Sequence, residues 1–467
     1  MLSRRPIFPR STWACCLGVL LGGPLALGVE PTVEPAREQL QHAVFAGATG
    51  NPLTNGWTAW FPDWAPARLT PEPTETGLRF AAGDQPFAVG GVRQTVAGIT
   101  SGQAYAVEAH CAFNGVPRPH ASALVRVTWL KRGAPLHPAG VLVRGPGLNG
   151  AEGRFADILV APAEADTAKL TLEVKWPGTG TVTWQRASLR PANPPPPRKV
   201  KVGTVHLRPR DSTPARNLEL WCAQVEAAGA LGLDIVCLSE AILQVGTSAA
   251  AGEVAEPIPG PATERLGAAA RRHRLWVVAG LIERAGPRLF NTAVLLDREG
   301  RVAGTYRKVH LPREEWLQGL TPGDAYPVFR TDFGTIAVQV CYDYFFPEAA
   351  ALFARQGAEI LFAPTWGTTF ADQDGRVEGR NLFRVRARDN GLYLVPSVYD
   401  GESLVIDPLG RVLAANEGQT GVFWAEIDLN AREPLWWVGH WGSIGPRDRR
   451  PETYEPLLTD PTPAALP

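Results

Sequence analysis

Cysteine is scarce in this sequence, six residues in 467. Cys15 and Cys16 sit near the N-terminus, and the other four, Cys111, Cys222, Cys237 and Cys341, share no paired spacing. That excludes a disulfide framework and a C-x-x-C metal pattern. Excess charge is lacking too: 46 Lys and Arg balance 46 Asp and Glu, for a formal charge of +0. Such a chain has no overall electrostatic footprint for nucleic acid or an anionic membrane surface. Long apolar runs are also missing. The one candidate, Trp13 to Leu27, contains Gly and Pro and is short for a membrane span.

What is present begins with a leader. Arg4, Arg5 and Arg10 precede that apolar stretch, and Ala26-Leu27-Gly28 puts small residues at the −3 and −1 positions of a signal-peptidase site. Residues 1–28 therefore read as a signal peptide of an exported protein, periplasmic or extracellular, and 29–45 as a tether. With 43 Pro and 48 Gly the chain has many turns. From 46 to 191 the apolar residues alternate with period two. "YAVEAHC" puts Tyr105, Val107, Ala109 and Cys111 on one face, "LVRVTW" does so with Val125, Val127 and Trp129, and "LTLEVKW" with Leu170, Leu172, Val174 and Trp176. Half-buried strands at this rhythm predict an all-β jelly-roll sandwich. Its pattern resembles the galactose-binding-like modules attached to secreted enzymes, which implies a glycan as a partner.

The proline-rich segment 192–199 is the clearest boundary in the chain. Beyond it, over 200–430, strand and helix patterns alternate. "KVGTVHL" is a strand; Thr213-Pro214 supplies an N-cap and N1 proline for a helix; "DIVCL" and "LWVVAGLI" are strands around a helix at 262–273. "NTAVLLDREGRVAGTYRK" is a hairpin turning at Asp297 to Gly300. The strand before Cys341, a helix from Pro347, "EILFAP", a helix through "NLFRVRARDN", "LYLVPS" and a further hairpin complete a layered α/β domain. Residues 431–467, rich in Trp, Arg and Pro, read as an ordered extension packing on the domain or on a partner subunit.

Three strand ends carry the chemistry. "DIVCLSE" ends at Glu240, "YRKVHLP" carries Lys308, and "VQVCYDYFFPE" carries Cys341. A free thiol is a poor nucleophile at neutral pH and needs a base beside it. No histidine stands in a strand-end setting next to Cys341. Glu240 is the better base by position, because a desolvated carboxylate has its pKa raised toward neutrality. Lys308 supplies positive charge for a thiolate and an oxyanion, and the backbone N–H of Tyr342 completes an oxyanion hole. The combination predicts a cysteine hydrolase without metal or cofactor.

The ordered Glu240, Lys308 and Cys341 strings resemble the nitrilase superfamily of carbon–nitrogen hydrolases, over roughly the whole of 200–430. The resemblance implies an αββα four-layer sandwich, commonly assembled into a homo-oligomer through this domain. It implies Glu240 as general base, Lys308 as oxyanion stabiliser and Cys341 as the nucleophile that forms a thioester. A second glutamate before the "PGD" turn is implied as well; of Glu314 and Glu315, the spacing to Pro322-Gly323 favours Glu315, which would orient Lys308 and the substrate amide. Trp366 in "PTWG" would lie near the pocket. Tyr342-Asp343 after the cysteine is similar to the amidase and carbamoylase branches, and Tyr344-Phe345-Phe346 suits an uncharged or apolar acyl group on a small-molecule amide. Asp343 and Glu348 are expected to cap the helix that follows. The expected reaction is hydrolysis of a non-peptide carboxamide with release of ammonia or an amine. N-acyl transfer at the same three residues, or a degenerate binding protein, are the alternatives.

Overall fold

The structure, a computed structural model, describes residues 37–41, 43–47, 52–367, 379–435 and 437–458. The segment 1–28, expected to be a leader, lies outside the described residues. In the N-terminal region two antiparallel sheets face each other across one core. The first runs β1 (Thr58–Trp60), β2 (Val89–Ala97), β4 (Thr167–Lys175), β3 (Ala123–Lys131), with two-residue strands at its far edge. The second orders Glu72–Thr74, Gly77–Ala81, Thr181–Ala192, Ala104–Asn114, Glu152–Val160 and Gly147–Asn149. Alternation decides which side chains meet between them. Tyr105, Val107, Ala109 and Cys111 from one sheet join Val125, Val127, Leu170, Leu172 and Val174 from the other in a single cluster.

Two expectations fail in this region. Trp176 does not continue the core face of its strand. β4 ends at Lys175, and Trp176 takes a φ of 52° ahead of Pro177-Gly178, which turns its ring outward. The part of the tether that is described is no free spacer. Leu40 and Phe45 are buried in the sandwich core, and the Glu38 carboxylate accepts from Ser188 Oγ at 2.7 Å and from the Leu189 N–H at 2.9 Å. Two apolar anchors and one fully used carboxylate dock the segment.

The strand Thr181–Ala192 ends where the prolines begin, and β5 (Lys199–His206) opens the next domain. Its first sheet is completed by β6 (Ile235–Cys237), β7 (Trp276–Ala285), β8 (Arg288–Leu296), β9 (Val302–Arg307) and β16 (Gly421–Asp428), in the order β9-β8-β7-β6-β5-β16. The second sheet is β10 (Val328–Arg330), β11 (Thr335–Val338), β12 (Ile360–Gly367), β13 (Tyr393–Asp400), β14 (Leu404–Ile406) and β15 (Val412–Ala415), in chain order. Each sheet has three parallel central strands, β5-β6-β7 and β11-β12-β13, flanked by antiparallel ones.

Parallel neighbours need crossovers, and the sequence supplies a helix for each. These are α1 (Pro214–Ala230) and α2 (Pro261–His273) on the first sheet, α4 (Pro347–Arg355) and α5 (Gly379–Asn390) on the second; α3 (Arg313–Leu317) lies in the connection between the sheets. Thr213 Oγ1 caps α1 by accepting from the Arg216 N–H at 3.2 Å. The two sheets pack face to face with helices outside, the four-layer αββα arrangement. Small polar groups lock the inner faces: Thr204 Oγ1 donates to the Pro396 carbonyl at 2.6 Å, and Ser239 and Ser397 hydroxyls meet at 2.7 Å. Two sheets that interlock through Ser and Thr hold their strand ends in fixed relation, which is what a site built across both requires.

The C-terminal extension forms α6 (Trp441–Asp448) and ties both domains together. Trp441 Nε1 donates to the Asp389 carbonyl on α5 at 2.7 Å, and Lys175 of the sandwich pairs with Asp448 at 2.6 Å.

Candidate active site

In a sheet with parallel central strands, loops at the carboxyl ends are free to converge. Arg208 follows β5, Glu240 follows β6, Cys341 follows β11, and Trp366 and Asp400 close β12 and β13. Arg208, Glu240, Cys341 and Trp366 line one cavity of about 560 Å³, together with Asn291 of β8 and Glu315 of α3.

Cys341 sits three residues past the end of β11, at the head of a tight 3-10 turn, with a φ of 44°. A non-glycine residue held in the left-handed region stores strain, a device found where a nucleophile must be presented. Asp343 maintains the turn. Its carboxylate accepts from the Val340 N–H at 3.0 Å, the Tyr306 hydroxyl at 2.7 Å, and both the N–H (2.9 Å) and Nδ1 (2.8 Å) of His310. Asp343 therefore does not cap α4, whose N-cap position is Phe346 without any side-chain bond. It fastens the Cys341 turn to the chain just past Lys308. Glu348 lies in the first turn of α4 without capping it.

Lys308 is fully buried. Its Nζ donates to Glu240 Oε1 at 2.8 Å and to Glu315 Oε1. Asn291 Nδ2 bridges the same two carboxylates, at 2.7 Å from Glu240 Oε1 and 3.2 Å from Glu315 Oε1. Glu240 Oε2 accepts from the Trp366 backbone N–H at 2.7 Å, and its carbonyl accepts from the Tyr399 hydroxyl at 2.7 Å. Glu240 is thus held at three atoms from three strands. Gly280 of β7 lies behind it, so close that a Cβ there would stand 2.6 Å from Glu240 Cα. The "PGD" turn packs from the other side, with the Gly323 N–H donating to the Lys308 carbonyl at 2.8 Å.

The charges set the protonation states. Burial alone would discharge Lys308; the carboxylates of Glu240 and Glu315 outweigh it and hold the ammonium above the ordinary lysine value. Burial pushes the Cys341 thiol up to about 12, the Glu240 charge adds to this, and Lys308 opposes it. The thiol is therefore protonated at rest, with the Glu240 carboxylate beside it. Burial likewise raises Glu315 to about 7, with Glu240 adding and Lys308 opposing. Among the described residues no cluster of three His, Cys, Asp or Glu is arranged to hold a metal ion.

The profile of the carbon-nitrogen hydrolase family matches residues 201–435. The chain belongs to that family. The hydrolase is 30% identical over 234 residues to an omega-amidase of Xenopus tropicalis, 46% of this chain and 84% of the relative. It is 32% identical over 231 residues to an N-carbamoylputrescine amidase of Solanum lycopersicum, 44% of this chain and 76% of the relative. A crystal structure of an amidase from Nesterenkonia sp. superposes with a TM-score of 0.46 at 23% identity, covering 56% of this chain and 96% of that one.

Glu240, Cys341, Glu315 and Trp366 line the hydrolase cavity, and Lys308 lies buried against the Glu240 and Glu315 carboxylates. Trp366 contributes its N–H to Glu240 and its ring to Tyr399, with centroids 5.5 Å apart. Tyr342 follows Cys341 in the turn. The aromatic run after it is placed differently from expectation. Tyr344 is buried against Phe383, Phe345 is exposed, and Phe346 stacks on His310 at 3.8 Å. None of the three lines the cavity, because the 3-10 turn carries them away from the strand end. Sequence reasoning missed Asn291 and the Arg208–Asp400 pair, which meets at 3.0 Å. The signal for Asn291 was there: Asn291-Thr292 interrupts the apolar run of β8, and a buried polar pair inside a strand needs partners.

Proposed function

We propose that this protein is an exported amidase that cleaves a non-peptide carboxamide through a thioester on Cys341. The observation that carries the reading is one buried ammonium, Lys308, shared between Glu240 and Glu315 beside a protonated thiol. Cys341 Sγ attacks the carboxamide carbon while Glu240 takes its proton. The carbonyl electron pair moves onto oxygen, where the Lys308 ammonium and the Tyr342 N–H stabilise it. Glu240 returns the proton to nitrogen, the C–N bond breaks, and ammonia or an amine leaves. Glu240 then takes a proton from water as its oxygen attacks the thioester, and returns that proton to the Cys341 sulfur as the C–S bond breaks, which releases the carboxylic acid and restores the thiol. Among the described residues Glu315 Oε2 has no protein partner, and it is the acceptor assigned to the substrate amide N–H.

The cavity size suits a small molecule, in keeping with the amidase relatives. Arg208 and Trp366 at its wall are neutralised by Asp400 and apolar respectively, so an uncharged acyl group remains the reading for this end of the substrate. Export rests on the arginine-led apolar segment at the N-terminus; among the described residues no helix is long and apolar enough to cross a membrane. The N-terminal sandwich is proposed to be a galactose-binding-like module with a glycan as ligand. A homo-oligomer is proposed to form through the hydrolase helices, where Leu352 of α4 and Val385 of α5 stand exposed.

The test is ammonia release across carboxamides, nitriles and carbamoyl compounds, with Cys341→Ala alongside. Release from carboxamides that vanishes in the variant supports the reading. Release that survives Cys341→Ala ends the thioester mechanism, and product that forms only with an added amine would turn the assignment to acyl transfer.

A further inference from the structure

The chain is neutral overall, yet one cleft far from Cys341 in sequence and element is strongly basic. It lies between the outer face of the β1-β2-β4-β3 sheet and the C-terminal extension, and measures about 410 Å³. Register places its charges. Thr171 of β4 pairs with Arg93 of β2 on one side and Arg126 of β3 on the other, and Lys169 is the next residue of β4 on the same face. Lys175 follows further along, and Arg447 enters from α6. Five cations thus face two carboxylates, Glu173 and Asp448.

The pairing within the cleft is incomplete. Arg126 takes Glu173 bidentately, at 2.6 and 3.1 Å, and Lys175 takes Asp448. Arg93 and Lys169 have no ion-pair partner among the described residues, though both are half-buried. Arg447 Nη2 donates to the Gly145 carbonyl at 2.7 Å, but its Nη1 is buried without a hydrogen bond among the described residues. Burial draws the Arg447 guanidinium below its ordinary value, and Asp448 and Glu173 oppose this without offsetting it. Unpaired donors at this density are costly unless something anionic meets them. Two indole rings stand at the cleft as well, Trp60 of β1 and Trp437, the latter 69% exposed. Flat aromatic faces beside a fork of guanidinium groups suit a ring with apolar C–H faces and acidic substituents.

We propose that this cleft binds an anionic saccharide, carrying carboxylate or sulfate groups, with Arg93, Lys169 and Arg447 meeting the acid groups and Trp437 the sugar face. The inference rests on the reading of the sandwich as a glycan-binding module, and it adds the place and the charge of the ligand. Because α6 forms one wall, the site belongs to the assembled chain and not to the sandwich alone.

The experiment uses the full chain and titration calorimetry with three probes: a galacturonic acid tetrasaccharide, a sulfated galactan oligosaccharide and a neutral galactose tetrasaccharide. Arg93→Met with Lys169→Met is the variant, since methionine keeps the aliphatic stem, and its melting temperature verifies the fold. The expected result is at least about tenfold tighter binding of one acidic probe than of the neutral one, weakened by salt and lost in the double variant. Trp437→Ala is expected to weaken it without changing its salt dependence. Equal binding of neutral and acidic probes would overturn the inference while leaving a glycan-binding module in place. Acidic binding unaltered in the double variant would overturn it as well, by removing the ligand from this cleft. Binding of none of the three would end both readings.

Discussion

Gly280→Ala tests whether Glu240 is placed by its backing or only by its own bonds. A methyl group on residue 280 would stand 2.6 Å from Glu240 Cα, 2.8 Å from the Ser239 carbonyl oxygen and 3.0 Å from the Ala241 N. All three are backbone atoms, so no side chain can swing aside. Restoring an ordinary contact of 3.4 Å requires a shift of about 0.8 Å. Gly280 is itself pinned, its N–H donating to Ser239 O at 3.0 Å and its carbonyl accepting from Ile242 N at 2.9 Å. The Glu240 loop must therefore move, carrying the carboxylate away from the thiol and from Lys308. A misplacement of about 1 Å at a reacting group costs on the order of 100-fold, and overpacking a tight site costs about 1–3 kcal/mol of stability. Steady-state kcat on the best carboxamide is expected to fall about 30- to 100-fold, with the protein still folded by circular dichroism and melting temperature. The same variant should alkylate more slowly at Cys341, because the base that takes its proton has moved. A folded Gly280→Ala protein with kcat within threefold of the parent would refute the reasoning that this glycine positions the base.

Other outcomes follow from the same geometry. Lys308→Met leaves Glu240 and Glu315 buried together without their cation, and chemical denaturation should register a loss of about 3–5 kcal/mol along with abolished turnover. Glu315, raised to about 7, is needed as an acceptor for the substrate N–H; kcat/KM should rise with pH through about 7 as it loses its proton, and that inflection should disappear in Glu315→Gln. A profile that falls through the same range would assign it a donor role instead. Asp343→Asn exchanges one acceptor oxygen for a donor where every partner, Val340 N–H, Tyr306 hydroxyl and His310, sits on the donor side. Its kcat should drop about 10- to 100-fold with KM little changed, since the turn that presents Cys341 loosens while the cavity stays. Asn291→Ala removes an amide that bridges both carboxylates, and is expected to shift the Glu315 inflection as well as to lower kcat.

Much of this protein was legible in order and rhythm. Period-two alternation marked the sandwich strands because side chains in a strand face opposite sides whatever the tertiary context. The alternation of apolar strands with Pro- and Thr-capped helices marked the layered domain, and Glu240, Lys308 and Cys341 stood out because charged or nucleophilic residues at the ends of apolar strands are poor core material. What local pattern could not carry was direction after the strand ends. The aromatic run at 344–346 looked like pocket wall, but the left-handed Cys341 and the turn that follows send Phe345 to the surface and Phe346 onto His310. Trp176 continued an alternating pattern in sequence and left it in space, because the turn ahead of Pro177 imposed a positive φ.

The sequence by itself carried the two layered architectures and the candidate reactive groups, since periodicity, capping and residue chemistry are local. Only the tertiary structure decided that Asn291 bridges two carboxylates from different elements, that Asp343 serves the Cys341 turn and not α4, and that α6 roofs a basic cleft on a distant sheet. Each of these depends on which loops meet after two sheets pack. That meeting is set by the summed burial of both cores and not by any short stretch of chain.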